Sequence, residues 1–294
     1  MIIALDPRDI PGGIALLNEQ RDMDVEVLGL EVTEPDLAQA CSLGNIDPQH
    51  LGGDASTAAI EAALTHPVPP AGSALAVLRQ DADALGAAAV LRIRQRGEKL
   101  DAAARARVGQ IAEADKEASG PWPGPRPAAR NAADLLRSTS AVEAMCMNFR
   151  RPLEDRVAAV EGWILDGALP DREEISERLR QEADAAMAAL DVQVCDGIAV
   201  VTGAHRLAMS AGYRHAPVVM ATNPAFRWQG GPEHTKHNVA RWNSAHPMDW
   251  AGMLADLRGR EPGWGGSSSI CGSPQGTGST LTQQEVLGIV ARHL

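Results

Sequence analysis

Asp47, His50 and Asp54 fall within GNIDPQHLGGDAST (Gly44 to Thr57), and Asp81 and Asp83 within RQDADALG, in both cases where an apolar run gives way to glycine and a helix-like pattern. Carboxylate oxygens with one imidazole form a donor set suited to manganese or magnesium. Crowded carboxylates also raise one another's pKa unless a cation or an arginine neutralises them, so a metal is the economical solution. Arg79, two residues ahead of Asp81, cannot ligate a cation but can pair bidentately with a phosphate or carboxylate. The competing reading of each aspartate is local, because Asp after a strand commonly caps the next helix through its free N–H groups. A second candidate lies in GWGGSSSICGSPQGTGSTL, where Gly265, Gly266, Ser267, Ser268 and Gly272 could offer backbone N–H and hydroxyl donors to an anion.

These residues need strands to carry them to a common edge. MIIAL, VEVLGLEV, ACSLGNI and SALAVLR read as short buried strands, alternating with the helical ASTAAIEAALTH and DALGAAAVLRIRQR. Such alternation predicts an α/β fold with a mainly parallel sheet flanked by helices, whose strand carboxyl ends are where ligands bind. If the strands before Asp47 and Asp81 are neighbours, the aspartates and His50 converge on one crevice. The proline-rich SGPWPGPRPAARN ends this region. LEDRVAAVEGWIL and DREEISERLRQEADAAMAAL then read as amphipathic helices, with Asp171 as N-cap of the second. DGIAVVTG and HAPVVMATN open a second β-rich region that ends in a short helix from about Thr282. The expected organisation is an α/β domain over residues 1–125, a helical connector over 126–192 and a smaller α/β domain over 193–294.

Composition narrows the function classes. A chain of 294 residues with 45% hydrophobic and 22% charged residues has enough apolar material for two cores. Its formal net charge of -11 excludes a broad basic face for nucleic acid and leaves a small anionic substrate in a local pocket. Cys41, Cys146, Cys195 and Cys271 share no C-x-x-C spacing, which predicts reduced, mostly buried thiols. No run approaches the ~18 apolar residues of a membrane span, and no basic region precedes the amino-terminal apolar run, so a cytoplasmic protein with no membrane partner is expected. A homodimer is compatible with the sequence. Dinucleotide, P-loop and nucleophile-elbow motifs are missing.

RQDADALGAA resembles the D-x-D-x-x-G signature of the DHH phosphoesterase superfamily, and NIDPQHLGGDASTAAIEAAL resembles its Asp-His-His segment with the following Ala-Ser-Thr helix. GWGGSSSICGSPQGTGSTL is similar to the glycine-rich segment of the DHH-associated substrate-binding domain. The motif order is reversed, Asp47 preceding Asp81, and Asp-His-His has become Asp47-Pro48-Gln49-His50. The resemblance implies a metal-dependent phosphoesterase-like hydrolase using Mn2+ or Mg2+ held by Asp47, Asp81 and Asp83. His50 and Arg79 would be catalytic, and Gly265, Gly266, Ser267, Ser268 and Gly272 would bind a small phosphorylated or otherwise anionic substrate between two lobes. By the same resemblance, Asp115 would be a further family aspartate. The alternatives are a non-catalytic nucleotide or metabolite sensor on the same architecture, or an enzyme of this fold with changed chemistry.

Overall fold

A computed structural model describes residues 1–50, 57–116, 139–228, 231–242, 246–266, 268–274 and 276–294. Asp54 and Ser267 lie outside the described residues, as does the proline-rich stretch. The chain divides into two compact units, one comprising Met1–Lys116 with Ser138–Ser176 and the other including Glu177–Leu294.

The first unit is α/β, as the alternation of strand and helix patterns predicts. Strands β1 (Ile2–Ala4), β2 (Val27–Leu30), β3 (Asn45–Ile46) and β4 (Ala74–Val77) pair in parallel in the order β1-β4-β2-β3. Every residue of β2 and β4 is buried, as parallel strands covered on both faces must be. Helices α1 (Ile10–Asp22) and α2 (Pro35–Ala40) pack Leu17 and Leu37 with Val27, Ala74 and Ala76 on one face. On the opposite face α4 (Ala82–Gln95) lies against β2 and β4, and α3 (Ala59–Ala63) and α5 (Ala102–Lys116) pack on α4.

The stretch expected as a helical connector divides between the units. Helices α6 (Ser140–Cys146) and α7 (Leu153–Asp166) pack on α4 within the first unit. Their apolar stripes, including Val142, Met145, Val157, Val160 and Ile164, are fully buried, so this stretch belongs to a core. Gly167, at φ 73°, ends α7 in the left-handed conformation that glycine adopts without a Cβ penalty. Helix α8 (Arg172–Ala189) runs across the division, and Asp171 before it carries its carboxylate to Arg151.

In the second unit, β5 (Asp191–Cys195), β6 (Ile198–Thr202), β7 (Val218–Arg227), β8 (Glu233–Arg241), β9 (Gly265–Gly266) and β10 (Ile270–Gly272) form a mixed sheet in the order β5-β6-β7-β8-β10-β9. Alternate residues serve opposite faces. Val218, Met220 and Val239 pack with α10 (Trp250–Arg260) and α11 (Gln283–Ala291), while Val219, Ala221 and Ala240 pack towards α9 (Ala208–Gly212). Thr282 and Glu285 form a reciprocal capping box at the start of α11. All four cysteines are free thiols, and burial pushes Cys41 up to about 11 and Cys271 up to about 12. Among the described residues no helix is long and apolar enough to cross a membrane.

Candidate metal centre

The strand order decides what meets at the carboxyl edge of the first sheet. β3 and β4 are not neighbours, because β2 lies between them. β4 leads to Arg79, Gln80 and Asp81, β3 leads to Asp47 and His50, and β2 leads directly into Glu31. Glu31 therefore occupies the middle of the edge, where open α/β sheets bind ligands.

Glu31 sits at φ 49°, a left-handed conformation that is uncommon for a residue with a Cβ. Its surroundings hold it there. The Glu31 N–H donates to the Ile46 carbonyl at 2.9 Å. Asn45 brackets the next residue, accepting from the Val32 N–H at 3.2 Å and donating to the Val32 carbonyl at 3.0 Å. Strain over-determined in this way concentrates at functional sites.

The ligand atoms of Glu31, Asp47 and His50 all lie within 4.8 Å of one another. Glu31 is 3% exposed and the Asp47 side chain 1%, while the His50 side chain keeps 32% of its surface open. Asp47 Oδ1 takes both His50 Nδ1, at 2.7 Å, and the His50 backbone N–H, at 3.2 Å. An ionised carboxylate only accepts, so in this pair Nδ1 is the donor, and in a neutral ring of that tautomer Nε2 presents its lone pair. Asp47 Oδ2 and Glu31 Oε2 are buried without a hydrogen-bond partner. Two unsatisfied carboxylate oxygens beside an oriented imidazole are unfavourable alone, and a divalent cation would satisfy them together.

The surrounding charge points the same way. Burial pushes the Glu31 carboxyl up to about 10, reinforced by Asp81, Asp83 and Asp115 and eased by Arg79. Burial and Asp115 push Asp83 up to about 7, against the backbone N–H groups that stabilise its charged form. Asp115, on α5, is also raised, by burial first and then by Asp81, with Gln49, His50 and Arg79 opposing. Gln49 donates to Asp115 at 2.8 Å and so ties α5 to the segment that carries His50. Arg79 is an exposed cation acting on this acidic edge.

Asp47 and His50 thus come together as the sequence reading expects, but their third partner is Glu31, which that reading missed. Its signal was an acidic residue directly after the apolar VLGL, the same place that Asp47 holds after its own strand. Asp81 and Asp83 stand outside the triad and make capping contacts. Asp81 Oδ1 accepts from Ala84 N–H at 3.0 Å and caps its own helix, α4. Asp83, 2% exposed, accepts from Ala59 N–H at 2.8 Å and Ile60 N–H at 2.9 Å, fastening the start of α3 to α4. The glycine-rich segment, read as an open anion loop, is a β9–β10 hairpin in the second sheet, with Cys271 opposite Gly266 and Gly272 opposite Gly265. Ser268 contributes its carbonyl to Arg241 Nε at 2.9 Å.

Compared with models of known protein families and with curated proteins, the chain matches none.

Proposed function

We propose that this chain is a metal-dependent hydrolase of a small phosphorylated or otherwise anionic substrate, with its reaction centre at the carboxyl edge of the first sheet. The observation that carries the reading is the convergence of Glu31, Asp47 and His50 within 4.8 Å, with a partnerless oxygen on each carboxylate. A divalent cation held by these residues, Mn2+ or Mg2+, would supply Lewis acidity and lower the pKa of water. The chain's own groups have separate parts. Asp47 fixes the His50 tautomer, so that Nε2 can act as ligand or proton acceptor. Glu31 is held by the backbone at its turn and needs no rearrangement to present its carboxylate. Arg79 offers a planar donor pair to a phosphate or carboxylate at an edge that would otherwise repel an anion. Asp81 and Asp83 hold two helix starts in place beside the triad and deepen the negative field that attracts a cation. The likeness of RQDADALG and NIDPQHLGGDAST to DHH phosphoesterase motifs supports hydrolysis of a phosphoester in particular.

The test is calorimetric titration of MnCl2 into chelator-treated protein, followed by a screen of phosphomonoesters and phosphodiesters, with wild type and Asp47→Asn side by side. Saturable Mn2+ binding and turnover in the wild type, both lost in the variant, are expected. Equal Mn2+ binding by the two proteins refutes the triad, and metal binding without turnover of any substrate favours the sensor.

A further inference from the structure

The second sheet ends in an open edge. Among the described residues β5 pairs with β6 on one side and with no strand on the other, and its five residues keep register with β6 without a bulge. The other described sheet edges are short or covered. β3 and β9 have two residues each, and β1 has its Ile2 N–H taken by Glu154 at 2.8 Å. Open edges are commonly blunted by lysine, proline or a bulge, and DVQVC carries none of these. Val194, apolar and β-branched, is 54% exposed.

The turn after β5 fixes which backbone groups face outward. Asp196, at φ 50°, and Gly197, at φ 81°, form a two-residue loop between Cys195 and Ile198, with the two positive φ values of a type I′ hairpin. Such a loop makes Cys195 and Ile198 a hydrogen-bonded pair, and these pairs alternate along an antiparallel ladder. Gln193 and Asp191 therefore bond to β6 through their backbone, while the N–H and C=O groups of Val192 and Val194 point away from it. Among the described residues these four groups have no partner.

We infer that this edge pairs with the same edge of a second copy of the chain, antiparallel about a two-fold axis at Gln193, to form a homodimer. In that register Val192 and Val194 of the partner subunit exchange both main-chain hydrogen bonds, symmetry repeats the exchange, and all four outward groups are used. Val194 then lies opposite Val192 of the partner subunit on one face, which extends the apolar layer in which Val192 packs. Asp191, the only charge on the strand, accepts from the Gln193 amide at 2.9 Å and comes opposite Cys195 of the partner subunit, so no carboxylate faces another. The same patch on both subunits makes the contact isologous, and it closes at two copies. This interface rests on the second unit alone and goes beyond the metal centre of the proposed function.

The experiment is sedimentation velocity on full-length wild type, Val194→Pro and Val194→Lys, with circular dichroism to confirm folding, and mild oxidation of Gln193→Cys. Wild type should be dimeric at about 100 μM and dissociate on dilution. Val194→Pro removes an outward N–H and leaves the ladder to β6 whole, as proline on an edge strand can, and should weaken dimerisation at least tenfold. Val194→Lys keeps every main-chain group but sets a charge against Val192 of the partner subunit, should weaken dimerisation comparably, and gives the reading if Val194→Pro does not fold. The two Gln193 Cα atoms would stand about 4.5 Å apart, within disulfide reach, so Gln193→Cys should oxidise to a covalent dimer joined through position 193. A wild type that stays monomeric at about 100 μM overturns the inference, as does an undiminished dimer in folded Val194→Pro or Val194→Lys. A dimeric Gln193→Cys protein that forms no link through position 193 also overturns it, because the strands would then meet in another register or not at all.

Discussion

Replacing Glu31 by Gln should stabilise the metal-free protein and remove its response to Mn2+. The Glu31 carboxyl has an ordinary value of 4.5 and is held at about 10 in the fold, so the folded state keeps a proton that the unfolded chain releases. That preference is free of penalty below pH 4.5, and stability falls as pH rises from there towards 10. At pH 7 the gap is about 2.5 pH units at roughly 1.4 kcal/mol each, so Glu31 weakens the metal-free fold by roughly 3 kcal/mol. Gln has nearly the same shape and no proton to lose. In chelator at pH 7, Glu31→Gln should therefore melt roughly 6–12 °C above wild type, and the two should converge near pH 4.5. Saturating Mn2+, at about 100 times its dissociation constant, should raise wild-type stability by about 2.7 kcal/mol and leave the variant little changed. Thermal melts of both proteins from pH 4.5 to 8, with chelator and with MnCl2, measure all of this. A variant no more stable than wild type at pH 7 would refute the buried, disfavoured carboxylate, and an undiminished Mn2+ response in Glu31→Gln would refute Glu31 as a ligand.

The two capping aspartates should separate by magnitude in urea denaturation. Asp81→Ala removes one N-cap bond, worth about 1 kcal/mol, whereas Asp83→Ala leaves two buried N–H groups of α3 without an acceptor and should destabilise by roughly 2–4 kcal/mol. Wild-type stability in Asp83→Ala with Mn2+ affinity abolished would make Asp83 a ligand and not a cap. Gly266→Val should disrupt the second sheet's edge by about 3 kcal/mol or more, because the new Cβ would overlap the Ile270 carbonyl oxygen and stand 2.6 Å from Cys271 Cα at a φ of 154°. Hydrogen exchange over 262–273 reports it, and unchanged protection there would contradict the hairpin geometry.

Much of the positioning was legible from residue order alone. Alternation of apolar strands with alanine-rich helices implied the parallel sheet, and Asp47, His50 and Asp81 each follow an apolar run, which sets them at strand carboxyl ends in any such sheet. The last helix, expected from about Thr282, starts there, and the Thr282–Glu285 box that opens it is local chemistry that depends on nothing distant. Other features depend on pairing. A strand buried on both faces shows no alternation, so VLGL carries no sign of which strands flank it, and only the order β1-β4-β2-β3 places Glu31 between Asp47 and Asp81. The aspartates split into ligand and cap for the same reason. A carboxylate's role is set by the donors it meets, and Asp83 meets the N–H groups of a helix start 23 and 24 residues earlier in the chain. The glycine-rich segment became a hairpin because β10 pairs with β8 across a separation that local sequence does not encode. Sequence thus determined which chemistry-bearing groups stand at the ends of elements, while tertiary packing, through strand order and burial, decided which of them share one desolvated space.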